Sequence, residues 1–294
     1  MIRSNIERLV KISVIGEVCS PIKGQTFTVT ADGRPVMLPG VGGITYNVRV
    51  GDLAAGFECD HVEPGVSIEN KERDERSPQG ANTALNLLSC IGNEATVVSG
   101  DAKGEKGVVT GKHGGIEHVL VDFNAKTLEK MVIGDKVQVK AFGVGLKLPD
   151  FPEIIAMNLD PGLLGAMKIE PRGDKLEIPV THIVPAAVMG SGLGASQTYT
   201  GDYDIQLFDD EMRIKYGLED LRLGDIVAIE DADHSYGRIY KKGAMSVGIV
   251  VHTSCVISGH GPGVTTLFTS TNGKIAPKID TRANIADILS LRKG

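Results

Sequence analysis

Short β-rich runs closed by glycine recur along almost the whole chain, and this pattern limits the fold more than any other feature of the sequence. The runs are Leu9 to Val18, Gln25 to Thr30, Ile44 to Val50, Ala95 to Ser99, His118 to Phe123, Lys136 to Phe142, Asp225 to Glu230 and Ser246 to Ile257. Stretches of this length, rich in β-branched residues and bounded by turn formers, read as strands. Glycine supplies 37 of the 294 residues with no collagen period, against a usual share of about 7%. Gly-Asp pairs at Gly51-Asp52, Gly134-Asp135 and Gly224-Asp225 touch three of the runs. There glycine allows a tight turn and the Asp side chain can bond the turn amides. The expected fold is mainly β within the α+β class: antiparallel barrel- or sandwich-like sheets with a few short helices.

The clearest helix spans Pro78 to Ile91, with Ser77 as N-cap, Pro78 at the first position and Gly92 past the end. Its apolar face is Ala81, Ala84, Leu85, Leu88 and Ile91. Shorter helices are expected from Pro161 behind Asp160, from Asp210, and near Arg282, the last turning Ile285, Ile288 and Leu289 inward. Two prolines in Leu148-Pro149-Asp150-Phe151-Pro152 block helix and central strand alike. A boundary placed there gives two β-rich domains, residues 1–150 with the helix near 78–91 and residues 151–294 with a C-terminal helix.

The formal net charge of −6 and the absence of a long basic block argue against nucleic acid as a partner. Apolar stretches such as Ala244 to Ile257 are too short for a membrane span, which takes about 20 residues. Cys19, Cys59, Cys90 and Cys255 form no C-x-x-C pair and no apolar leader opens the chain. A cytoplasmic protein with reduced thiols is the simplest expectation.

Ionisable residues gather in three glycine-flanked segments. In Cys59-Asp60-His61-Val62-Glu63-Pro64-Gly65 an extended backbone would put His61 and Glu63 on one face and Asp60 on the other. A solvated loop is the plain alternative. In Gly201-Asp202-Tyr203-Asp204 the two carboxylates share a face and could hold a hard cation. The preceding stretch Met189 to Thr198, with Gly192 at its centre, could offer amides to an anion or simply form a loop. The third segment, Glu230 to Gly243, contains Asp233, His234, Tyr236 and Arg238 behind a strand. There His234 could transfer protons and Arg238 could fork onto a carboxylate or phosphate, or the segment could be an exposed hairpin. His252, inside the apolar Met245 to Ile257 run, reads first as a core histidine. His260-Gly261-Pro262-Gly263 and His113-Gly114-Gly115 read first as turns, and no Walker, G-x-S-x-G or H-E-x-x-H pattern occurs.

The segments Leu38 to Asn47, Asp60 to Gly65, Lys112 to Gly115, Asp233 to Arg238 and His260 to Gly263 together resemble a bacterial and archaeal family known as a two-part domain of unknown function. The resemblance covers most of both halves and implies a two-part layout and a cytoplasmic setting, without naming a reaction. The Gly-Asp strands are also similar to the acetamidase and formamidase β-fold, from which no catalytic residue is carried over.

The leading reading is an enzyme acting on a small oxygen-rich substrate by hydrolysis or proton transfer, with a divalent metal as candidate cofactor. His61, Glu63, Asp233 and His234 are the expected catalytic residues. Arg238, Tyr236 and Gly192 are expected to bind the substrate, and Asp60, Asp202 and Asp204 to hold the metal. The alternative is a non-catalytic small-molecule-binding or scaffold protein, assembled as a homo-oligomer.

Overall fold

In the computed structural model, which describes residues 2–72 and 80–292, six strands close into a barrel. Around it run Ile12–Val18, Lys136–Ala141, Glu94–Val97, Lys106–His113, His118–Asp122 and Gly65–Glu69. The ring closes where Glu17 and Val18 pair with Glu69 and Ile68, and every neighbouring pair is antiparallel. The period-two pattern explains why these residues make barrel walls. In Lys136–Ala141, Val137, Val139 and Ala141 are buried while the two lysines are exposed. Closure also leaves no long unpaired edge.

A second, five-stranded sheet runs in the order Ile155–Ala156, Val264–Ser270, Ile239–Val250, Ile226–Asp233 and His182–Pro185. Its last pair is parallel and the others antiparallel. Val264–Ser270 is buried along its whole length, as expected of a central strand. A smaller sheet joins Glu170–Arg172, Lys175–Val180 and Ile275–Ile279. Barrel residues such as Val109 and Val139 share one apolar core with Leu267, Phe268 and Ile285 of the second half. No described helix is long and apolar enough to cross a membrane.

The three Gly-Asp corners share one construction. Gly51, Gly134 and Gly224 have φ of 99°, 91° and 85°, in the left-handed region that glycine enters without a Cβ penalty. The following Asp then accepts a hydrogen bond from the backbone N–H three residues before it: Arg49 to Asp52, Val132 to Asp135 and Arg222 to Asp225, at 2.7, 3.0 and 2.8 Å.

Several expected elements are shorter than the sequence suggests. Gln25 to Thr30 yields only Thr28–Val29, and Ile44 to Val50 only Ile44–Thr45. The helix is Gly80–Leu88, with Leu85 buried but Ala84 exposed; Ser77 and Pro78 lie outside the described residues. Helices Pro161–Ala166, Asp210–Lys215 and Ile285–Ile288 are capped by Asp160, Asp209 and Asn284. The strand expected through Ile257 ends at Val250. Beyond it Thr253 and Ser254 donate to the carbonyls of Val62 and Ala54, so the chain leaves the sheet and crosses to the 54–62 segment. That departure carries His252 out of the strand.

Candidate metal centre

Where the chain leaves the second sheet it meets one end of the barrel, and four imidazoles converge there. His113 ends the Lys106–His113 strand, and His61 lies in the loop leading to Gly65–Glu69. His252 follows Ile239–Val250, and His260 precedes Val264–Ser270. Ring centroids stand 4.3 Å apart for His113 and His252, 5.0 Å for His61 and His260, and 5.2 Å for His61 and His252. Asp202 and Asp204 reach the same place from a segment held by short bridges, Ile205 to Met189 and Asp204 to Gly263. A cavity of about 440 Å³ opens onto the cluster, with His61, His113, His260, Asp202, Asp204 and Arg238 in its wall.

Behind the cavity each ring is fixed by a second partner. Nδ1 of His113 donates to Glu63 Oε1 at 2.6 Å, which leaves Nε2 as its free ring nitrogen. Glu63 is buried and also accepts from the amide of Gly42, the hydroxyl of Ser67 and Nδ1 of His118. Burial alone would raise its pKa, but the hydrogen bonds from His113 and His118 hold it well below the usual range. His118 sits between Glu63 and Cys19 Sγ. Burial opposes its charge, yet these two partners lift its pKa to about 10. His118 and Glu63 thus form a buried ion pair behind His113.

His252 is arranged in the same way. Its Nδ1 donates to the Thr253 carbonyl at 2.9 Å and its Nε2 meets Asp202 Oδ2 at 2.7 Å. Burial works against its charge, and the hydrogen bond and charge of Asp202, with Asp204 beyond, outweigh it and raise the pKa to about 9. Asp202 is lowered in turn, its other oxygen accepting from the Gly114 amide at 2.7 Å. Nδ1 of His61 lies 3.2 Å from Asp60 Oδ1. His61 itself is lowered, chiefly by burial, while Asp60 is held at about 2 because hydrogen bonds from His61 and Cys255 outweigh its own burial.

Ligand atoms of His113, Asp202 and His252 lie within 4.8 Å of one another. Imidazoles that bind metals ordinarily turn their other nitrogen onto a carboxylate or carbonyl, which fixes the tautomer and the ring direction. His113, His252 and His61 all do so. Two imidazoles with a carboxylate suit zinc or iron(II).

Of the residues singled out in the sequence, His61, Asp202, Asp204, Arg238 and Gly192 line the cavity. Asp60 and Glu63 stand behind it. The extended backbone expected through 60–63 is absent, because His61 has φ of 58°. His61 therefore bonds its neighbour Asp60 while Glu63 turns to His113 and His118. Asp233, His234 and Tyr236 are not brought to the cavity. Asp233 closes its own turn on Ser235 and Thr271, and Tyr236 is 90% exposed. His234 is buried with Nδ1 on Thr266 Oγ1 at 2.7 Å. Burial and the nearby Arg238 charge push its pKa down to about 3.

Reading the sequence did not place His113, His252 and His260 in the site, although His113 and His260 lie in the family-like segments Lys112 to Gly115 and His260 to Gly263. Gly263 is a further site residue. A Cβ there would collide with the Asp202 carboxylate and the His252 ring, so only glycine lets the two approach.

The crystal structure of TM1086 is similar to this chain, with 48% identity and a TM-score of 0.92 over 97% of this chain and 98% of the other. No curated protein matches the chain, and nothing in these comparisons supports the likeness to acetamidase and formamidase. Residues 27–165 match the N-terminal part, and 166–289 the C-terminal part, of a domain of unknown function designated DUF4438. The family's two parts meet later in the chain than the proline-rich turn at 148–152, and with both matched in order over most of its length, the chain belongs to the DUF4438 family.

Proposed function

We propose that this protein is a metal-dependent enzyme. In this reading His113, His252 and Asp202 hold a divalent transition ion, and the cavity admits a small, oxygen-rich, anionic substrate for hydrolysis. The observation that carries the reading is the back-bonding. His113 and His252 each have one nitrogen tied to a fixed acceptor and meet Asp202 at the cavity. A bound ion of this kind lowers the pKa of its water and so supplies a hydroxide nucleophile near neutral pH.

Arg238 supports the anionic character of the substrate. Its side chain is nearly inaccessible, its Nε has no hydrogen-bond partner, and one Nη reaches only the Gln197 carbonyl at 3.4 Å. No carboxylate among the described residues pairs with it. A buried guanidinium left in this way is costly unless something binds it, and a substrate carboxylate or phosphate would match its fork. The cytoplasmic setting fits four free, buried cysteines.

Calorimetric titration of chelator-treated protein with zinc tests the centre. Tight, stoichiometric binding that is lost in His113→Ala and His252→Ala is expected, and absence of binding to zinc, manganese and iron(II) alike would remove the reading. Loaded protein should then hydrolyse members of a panel of small carboxylate- and phosphate-bearing esters and amides, with Arg238→Ala raising KM. Metal binding with no turnover across the panel would favour the binding-protein alternative.

A further inference from the structure

A second set of donors lies beside the first. His61, His260 and Cys255 also place ligand atoms within 4.8 Å of one another. His61 Nε2 and His260 Nδ1 are 3.2 Å apart. Two imidazole nitrogens bound to one tetrahedral zinc stand roughly 3.3 Å apart, given bonds of about 2.0–2.1 Å. The hydrogen-bond inventory points the same way. His61 turns Nδ1 to the Asp60 carboxylate, which leaves Nε2 with a lone pair facing His260. His260 Nδ1 faces two acceptors at once, that lone pair and Asp204 Oδ2 at 3.1 Å. A single N–H cannot serve both fully, whereas a cation among these atoms would satisfy all three.

Asp204 links the two sets. Its Oδ2 faces His260, and its Oδ1 lies 3.8 Å from His252 Nε2, on the side of the first set. A carboxylate with one oxygen directed to each of two donor groups has the arrangement of a bridging ligand. Cys255 Sγ, now bonded to Asp60 Oδ1 at 2.9 Å, is the remaining donor within reach.

We propose that His61, His260 and Asp204 hold a second divalent cation, with Cys255 at its edge, so that the protein carries a two-metal centre bridged by Asp204. This rests on the metal centre proposed above. In such centres the ions are about 3.5–4 Å apart and together clamp the attacking and leaving oxygens of a displacement. The esters and amides proposed above would then present both heteroatoms of their reacting group to the metal pair.

The test is the number of cobalt(II) ions retained per chain after loading and gel filtration, read by elemental analysis for wild type, His260→Ala and Asp204→Asn. His260 sits on a turn with its side chain 35% exposed, so its truncation removes little buried surface, and the near-isosteric Asp204→Asn provides an independent check. Two ions in wild type and one in each variant is the expected result. Manganese-loaded wild type should show an exchange-coupled paramagnetic resonance signal that His260→Ala converts to that of an isolated ion. One ion per wild-type chain would overturn the second site and leave the first centre standing. Two ions retained in both variants would overturn the residue assignment, and none in any protein would overturn both centres.

Discussion

His252 and His234 are equally inaccessible to solvent, yet they sit in regions that treat a proton in opposite ways. At the cavity end of the barrel, His252 faces Asp202 and Asp204 and keeps its charge up to about pH 9. Just past the Ile226–Asp233 strand of the second sheet, His234 faces the Thr266 hydroxyl and the Arg238 charge and remains uncharged down to about pH 3. Burial opposes the charged form in both. What separates them is the sign of the neighbouring charge. A histidine beside two carboxylates holds its proton despite burial, whereas one beside a hydroxyl and a cation sheds it.

The sharpest way to break this contrast is to remove the charged histidine. His252→Ala leaves Asp202 buried without its partner, and such losses cost about 3–5 kcal/mol. We expect a loss of that order in denaturant titrations of metal-free protein, together with abolished metal binding. Gly263→Ala comes next. It forces Asp202 and His252 apart, and overpacking of this kind costs about 1–3 kcal/mol, so metal affinity should fall while folding survives. Glu63→Gln keeps the shape but weakens the hold on His113. Outer partners of metal ligands are worth about 10–100-fold in affinity, and calorimetry should show a fall in that range with unchanged stoichiometry.

The opposite region should respond through pH alone. Folded His234 takes a proton only near pH 3, whereas an unfolded histidine takes it near 6.5. Between those values the unfolded state binds more protons, so stability falls as pH drops through that window. His234→Asn should therefore make the acid limb of the stability profile shallower, by up to one proton's worth of slope, with metal affinity unchanged. A fall in metal affinity would show that the two regions are not separate. The smallest effect belongs to Tyr236→Ala, which removes an exposed ring. Stability should move by less than about 0.5 kcal/mol, with no change in turnover by the loaded protein.

Much of the fold was legible in the sequence because its signals are local. The β-rich run Lys136 to Phe142 marked a strand, Asp160 and Pro161 marked a helix start, and the Gly-Asp pairs marked corners with a side-chain acceptor. Barrel closure was not legible, since the pairing of Glu17 and Val18 with Glu69 and Ile68 joins segments about fifty residues apart. The site was legible only in part for the same reason. Asp202 and Asp204 stood out as neighbours. His113, His252 and His260 looked like two turns and a core residue because their rings come together only when segments from both halves meet. Of the polar cluster behind the Ile226–Asp233 strand, only Arg238 reaches the cavity wall, because Asp233 closes on Ser235 and Thr271 and His234 turns to Thr266.

The most direct test of the account is an anomalous-difference map from crystals of the protein grown with saturating zinc. A peak is expected between His113, His252 and Asp202, at about 2.0–2.2 Å from the ligating nitrogens and oxygen. A map with no peak there, or with zinc bound only at surface residues, would contradict it.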